Sequence, residues 1–153
     1  MKPSERIKAL GLVLPPAPPP AGLYKPVLVV DHFLYVSGQG PMLPNGSLYT
    51  GRVGDNLDLS QGKDAAKQVA LTMLATITAH FGDVDRIKRL VKTLGMVNCT
   101  PDFNDHPLVI NGYSELMASV FGEDHGVGVR SAVGMMLPGQ VAVEIEAMFE
   151  LHT

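Results

Sequence analysis

A single cysteine, Cys99, in a chain of 153 residues has no partner for an internal disulfide, which excludes a stapled secreted fold and fits a reducing compartment. Charge is sparse as well, at 18% of residues against about 25% in an average soluble domain. The 12 basic side chains are outnumbered by 15 acidic ones, for a net charge of -3, so the basic face of a nucleic-acid binder is missing. The one dense basic cluster, Arg86, Lys88, Arg89 and Lys92, is small. No window approaches the ~20 apolar residues of a membrane span. Charges at Lys2, Glu5, Arg6 and Lys8, followed by prolines, read against a secretory signal, and the expected location is the cytoplasm. The five histidines form no HxxxH-type pair, which argues against a metal site.

What the chain does have is grease. It is 46% hydrophobic with a mean hydropathy of +0.16, an excess that suggests contacts between subunits. The eight methionines read as core and interface filler, and Cys99 as a small buried hydrophobe. The length suits one domain with one core.

Residues 3–12 predict a short helix, an appendage to the domain. Pro15–Gly22, PPAPPPAG, cannot hold helix or sheet, because proline fixes φ and lacks the amide donor, and it reads as a semi-rigid strap. VLVVDH and FLYVSGQ predict a hairpin around Asp31-His32, and Asn45-Gly46 a turn before a third short strand in SLYTGRVG. Asp58 or Ser60 caps a long helix whose Val69, Ala70, Met73, Leu74 and Ile77 recur at three and four residues, ending at Gly82. RIKRLVKTLGMVNC predicts a buried strand, and LVINGYSELMASVFG a second helix entered at Pro107 and stopped at Gly122. Two strands follow. This order predicts an α+β domain with helices covering one face of a single sheet.

The last stretch, Val129–Leu151, carries the chemistry. Arg130 lies in an apolar segment with no carboxylate near it in sequence, so it should reach for something outside its own strand. After the Leu-Pro-Gly break, strict alternation sets Glu144, Glu146 and Glu150 opposite Val143, Ile145, Ala147 and Phe149. A tight hairpin at Leu137–Gln140 would turn Arg130 and Glu144 to different faces; Pro138-Gly139 suits a type II turn, which splays strands instead.

Four segments taken in order, YVSGQGP at Tyr35–Pro41, VINGYSELMASVFG at Val109–Gly122, RSAV at Arg130–Val133 and VEIEA at Val143–Ala147, resemble the successive signatures of the Rid family (RidA/YjgF, L-PSP endoribonuclease-like). The resemblance runs from Tyr24 to the end. It divides the chain into an N-terminal helix and proline-rich strap, 1–23, and a RidA/YjgF-like domain, 24–153. It implies a chorismate-mutase-like single mixed sheet with two helices packed on one face, and a homotrimer with sites in the clefts between subunits. It also implies hydrolysis of reactive enamines and imines, such as 2-aminoacrylate, to 2-keto acids and ammonia without metal or organic cofactor. By the same resemblance Arg130 holds the substrate carboxylate and Glu144 lies near the water. Gly38, within Ser37-Gly38-Gln39, supplies a backbone contact, Tyr24 closes the site, and Asn111 is the asparagine of the second helix. The family's usual cysteine two residues after the arginine is Ala132 here, and the segment from Arg130 to Pro138 is one residue shorter, marks of a divergent subgroup.

The chemistry is coherent on its own terms. A guanidinium can grip a planar carboxylate through two charge-assisted hydrogen bonds, and a nearby carboxylate can take and return the proton of the attacking water. Imines hydrolyse readily, so orientation and proton transfer suffice. Other readings stay open at this point. Arg130 could be an interface or core ion-pair residue, Glu144 one solvated carboxylate among three, Tyr24 a packing anchor, Asn111 a helix-surface residue bonded to backbone, and Gly38 a turn residue. The protein could also be a non-catalytic module for small carboxylates or, against its acidic balance, an endoribonuclease.

Overall fold

A computed structural model describes residues 1–153. Five strands form one mixed sheet: β1 (Val27–Val30), β2 (Phe33–Gln39), β3 (Ile87–Val97), β4 (Val129–Gly134) and β5 (Val143–Leu151), in the order β1-β2-β5-β3-β4. β5 inserts between β2 and β3, antiparallel to both, while β4 runs parallel to β3 at the far edge. Because β4 and β5 are not neighbours, the question of a tight hairpin between them disappears. The Pro138–Gln140 turn, with Gly139 at φ 64 and Gln140 at φ 58, redirects the chain across the sheet instead.

Two helices, α2 (Leu59–His80) and α3 (His106–Phe121), cover one face. α2 starts where Asp58 accepts from the Gln61 amide while Gln61 bonds back to the Asp58 amide, the reciprocal cap read from the sequence. Its three-and-four stripe, including Val69, Met73 and Ile77, is fully buried against Leu34, Ile145 and Phe149 of the sheet. α3 lies so close to α2 that a Cβ on Gly112 would collide with the Lys63 backbone carbonyl. Gly122, at φ 99, ends α3 as expected.

Two expectations need correction. The third strand, in SLYTGRVG, does not form. The Asn45-Gly46 turn is present, but beyond it only isolated bridges, Met42 to Leu48 and Thr50 to Val141, replace a ladder. Gly51 (φ 141) and Gly54 (φ 94) bend the segment out of extended geometry twice within four residues. The short N-terminal helix, α1 (Pro3–Ala9), docks on α3 and does not trail as an appendage. Ser4 gives both its amide (2.8 Å) and its hydroxyl (2.6 Å) to the Asp85 carboxylate, Arg6 reaches the Val120 carbonyl, and Ile7, Leu12 and Leu14 pack against the core.

The other sheet face has no layer over it. Leu28, Tyr35, Val129 and Val133 stand on it, each more than a third exposed, beside Lys92, Glu144 and Glu146.

Candidate active site

The register of β4 decides where Arg130 points. It pairs with Thr93, which faces the helices, buried and bonded to the Tyr113 hydroxyl, so Arg130 also faces α3. There Nη1 donates to Ser114 Oγ (2.8 Å), and Nη2 donates to Asn111 Oδ1 (2.8 Å) and to the Pro107 carbonyl (3.1 Å). Positions 107, 111 and 114 lie four and seven residues along one helix, hence on one face. No acidic side chain of its own chain is within salt-bridge distance of Arg130, so no ion pair within the core holds it. Partial burial without an anionic neighbour holds its pKa below the usual value, yet a guanidinium stays charged. A half-buried cation whose ligands are all neutral has its charge uncompensated within the chain.

Glu144 belongs to the opposite face. It pairs with Met96, three positions along β3 from Thr93, and period two turns it away from the helices. Its neighbour across the sheet is the bulge in β2, where the register slips between Val36 and Gln39. The missing Cβ of Gly38 makes room: a Cβ there would stand 2.6 Å from Glu144 Oε2. Burial, and then repulsion from Glu146, raises the Glu144 pKa, the direction a general base needs to exchange protons near neutrality.

Glu144 and Glu146 line a cavity of about 740 Å³, bounded by the strap at Pro18–Gly22, by Tyr24, by Ser37–Gly40 and by the Pro138 turn. A second cavity, about 530 Å³, shares Tyr24, Ser37 and Glu146 and adds Lys25, Tyr35 and Lys92. Tyr24 is fixed at the mouth of both by the Ala21 amide donating to its hydroxyl (3.0 Å), and Ser37 Oγ donates to the Lys25 carbonyl (2.6 Å). The Gln39 side chain is buried and committed elsewhere, donating to the Ser37 carbonyl and accepting from Thr76 Oγ1 (2.7 Å).

The predicted residues therefore form two groups. Tyr24, Ser37, Gly38 and Glu144 meet on the open face, Arg130 and Asn111 on the helix side, and the sheet separates them within one chain. Sequence reasoning missed Ser114 and the Pro107 carbonyl, although their spacing from Asn111 was a readable signal. It also took Cys99 for a buried hydrophobe. The thiol is only half-buried, with Sγ 3.3 Å from His106 Nε2 and its pKa pushed up by burial. No group of three or more His, Cys, Asp or Glu side chains is placed to hold a metal ion.

Residues 4–141 match the sequence model of the family described as "YjgF/chorismate mutase-like, putative endoribonuclease". Protein TCP17 of Trypanosoma cruzi is 41% identical over 147 residues, 95% of this chain and 92% of that protein. A crystal structure of a protein of unknown function from Agrobacterium tumefaciens is 40% identical, covers 98% of this chain and 94% of its own, and superposes with a TM-score of 0.86. That of a Shewanella oneidensis protein named a putative endoribonuclease is 30% identical, covers 99% and 100%, and reaches 0.92. The matched spans take in α1 and the strap, so the extension outside the four sequence signatures is shared with these relatives. On the family match and on this identity over nearly its whole length, the chain belongs to the YjgF/chorismate mutase-like, or RidA/YjgF, family.

Proposed function

We propose that the protein hydrolyses reactive enamines and imines of the 2-aminoacrylate kind to 2-keto acids and ammonia, in sites shared between copies of a cytoplasmic homotrimer. The observation that carries this reading is the Arg130 guanidinium, half-exposed at the sheet edge, ligated by three neutral oxygens and by no carboxylate. Arg130 and Asn111 of one copy take the substrate carboxylate, and Glu144 of a neighbour, beside Gly38 and Tyr24, handles the water. An enamine first gains a proton at its β-carbon to give the imine. Glu144 then accepts a proton from water as the oxygen bonds to the C=N carbon and the electron pair moves to nitrogen. Return of that proton to nitrogen makes ammonia the leaving group, and Glu144 takes the hydroxyl proton as the carbonyl forms, offsetting the proton gained at the β-carbon. Holding carboxylate and water together supplies the orientation such a step requires. The apolar open face, with Val129 68% and Leu28 45% exposed, supports association of copies.

The test is keto-acid release from an imine generated in situ by an amino-acid oxidase. Wild type should accelerate release and Arg130→Ala should fall to the rate in buffer; equal rates for wild type, variant and buffer would end the enzyme reading. Saturable binding of 2-ketobutyrate without faster imine loss would point to a carboxylate-binding module. The names of some relatives favour a second reading, an endoribonuclease, but a net charge of -3 supplies little attraction for RNA.

A further inference from the structure

Gly38 and Gly40 lie two residues apart where β2 ends, and both line the cavity of about 740 Å³. Glu144 closes on the first, with its Oε2 2.6 Å from where a Cβ would stand. Two apolar side chains converge on the second: a Cβ on Gly40 would stand 3.6 Å from Leu48 Cδ2 and 3.8 Å from Val141 Cγ1. Two residues of chain span no more than ~7 Å. The carboxylate and the apolar pair are therefore within one small molecule's length of each other, on one cavity.

The rest of that cavity suits an apolar group at the Gly40 end. Pro18, Pro19 and Pro20 bring rings and no amide donor. Leu48 is 41% exposed, a large apolar side chain left open to the cavity and outside the core. The only charged side chains on the wall are Glu144 and Glu146, which repel a second carboxylate on a ligand. The strap is held at both ends, by Leu12 and Leu14 packed against the core with Pro15 buried, and by the Ala21 amide on the Tyr24 hydroxyl (3.0 Å). Little ordering is left for a ligand to bring about. 2-Aminoacrylate, with one carbon beyond its C=N carbon, leaves this end unused.

We propose that Leu48, Val141 and the Pro18–Pro20 strap form a subsite for the substrate's side chain, and that the preferred imines carry a branched aliphatic group, as does the imine formed by oxidation of leucine. The substrate assignment rests on the reading of Glu144 as the group beside the C=N carbon; the subsite rests on the geometry alone. An isobutyl group reaches ~4 Å beyond that carbon, and a van der Waals contact of ~3.5–4 Å covers the remaining distance to Leu48.

Calorimetric titration of the full-length protein with pyruvate and with 2-keto-4-methylpentanoate, the products of a short and of the branched imine, reads the subsite. The branched acid should bind about fiftyfold more tightly, because three further carbons leave water. Leu48→Asn, similar in size but polar, should cut that ratio about tenfold at an unchanged unfolding temperature. Gly40→Ala, whose methyl meets Leu48 and Val141 at ordinary contact distances, should cut it too by taking the space, and carries the test if the asparagine variant unfolds early. Equal binding of the two acids, or a ratio unmoved in both variants, would overturn the subsite and leave the reaction at Glu144 standing. A preference that depends on Leu48, without acceleration of either imine's hydrolysis, would uphold the subsite and end the reaction proposed there. Failure of both acids to bind would overturn both.

Discussion

Replacing Gly38 by alanine separates stability from chemistry. The new methyl would lie 2.6 Å from Glu144 Oε2 and 3.1 Å from its Cδ, close to 1 Å short of the ~3.5 Å at which non-bonded atoms settle. Gly38 sits in a β2 bulge at negative or extended φ, so alanine imposes no left-handed strain, and the atom in its way is the end of a flexible side chain. The carboxylate can swing aside, and unfolding free energy should change by less than ~1 kcal/mol. A displacement of about 1 Å at a group that must meet water and substrate is another matter, costing on the order of 10²-fold in rate, or ~2.7 kcal/mol of transition-state stabilisation. Urea unfolding and the oxidase-coupled keto-acid assay read the two effects on one preparation. A Gly38→Ala variant that folds normally and retains kcat/KM within a factor of about two would refute the placement of Glu144 at the reacting centre.

Glu144 also carries a pH signature. Its folded pKa is raised by burial and by Glu146, so removing the second charge with Glu146→Gln should move the acid limb of kcat/KM to lower pH. The same shift has a sign in stability. The folded chain holds this proton more tightly than the unfolded chain, so the contribution is full below the ordinary carboxylate pKa and is lost as pH rises through the folded value. The unfolding free energy of Glu144→Gln should therefore gain on wild type across that window, and an invariant difference would contradict the burial argument. At the start of α2, Asp58→Ala should cost about 1 kcal/mol by urea midpoint, with Asp58→Asn retaining most of the cap.

The helices were legible because local chemistry determines them. Asp58 and Gln61 cap α2, buried residues three and four apart face the sheet, and Gly122 can adopt the φ that ends α3. The alternation of β5 likewise told which side each glutamate takes, since period two survives any strand order. The strand order itself was not legible from residue patterns. β5 inserts between β2 and β3 through long-range pairing that no turn sequence encodes. The failed third strand shows the converse: β-forming residues at Leu48, Tyr49 and Thr50 had no ladder to join once Gly51 and Gly54 bent the chain. Arg130 was singled out by its missing carboxylate. Its attachment to α3 depends on β4 pairing parallel to β3 with Thr93 in register, which is a property of the assembled sheet.

Arg130 and Glu144 lie on opposite faces of their own sheet, so the proposed site takes them from two copies of the chain. The most direct measurement is complementation. Arg130→Ala and Glu144→Ala, each inactive alone, are unfolded together, refolded as an equal mixture and assayed for keto-acid release. A shared site predicts recovery of roughly a quarter of the wild-type rate, because that fraction of head-to-tail interfaces pairs an intact arginine with an intact glutamate. A mixture no more active than the separate variants, while wild type recovers fully from the same treatment, would contradict it.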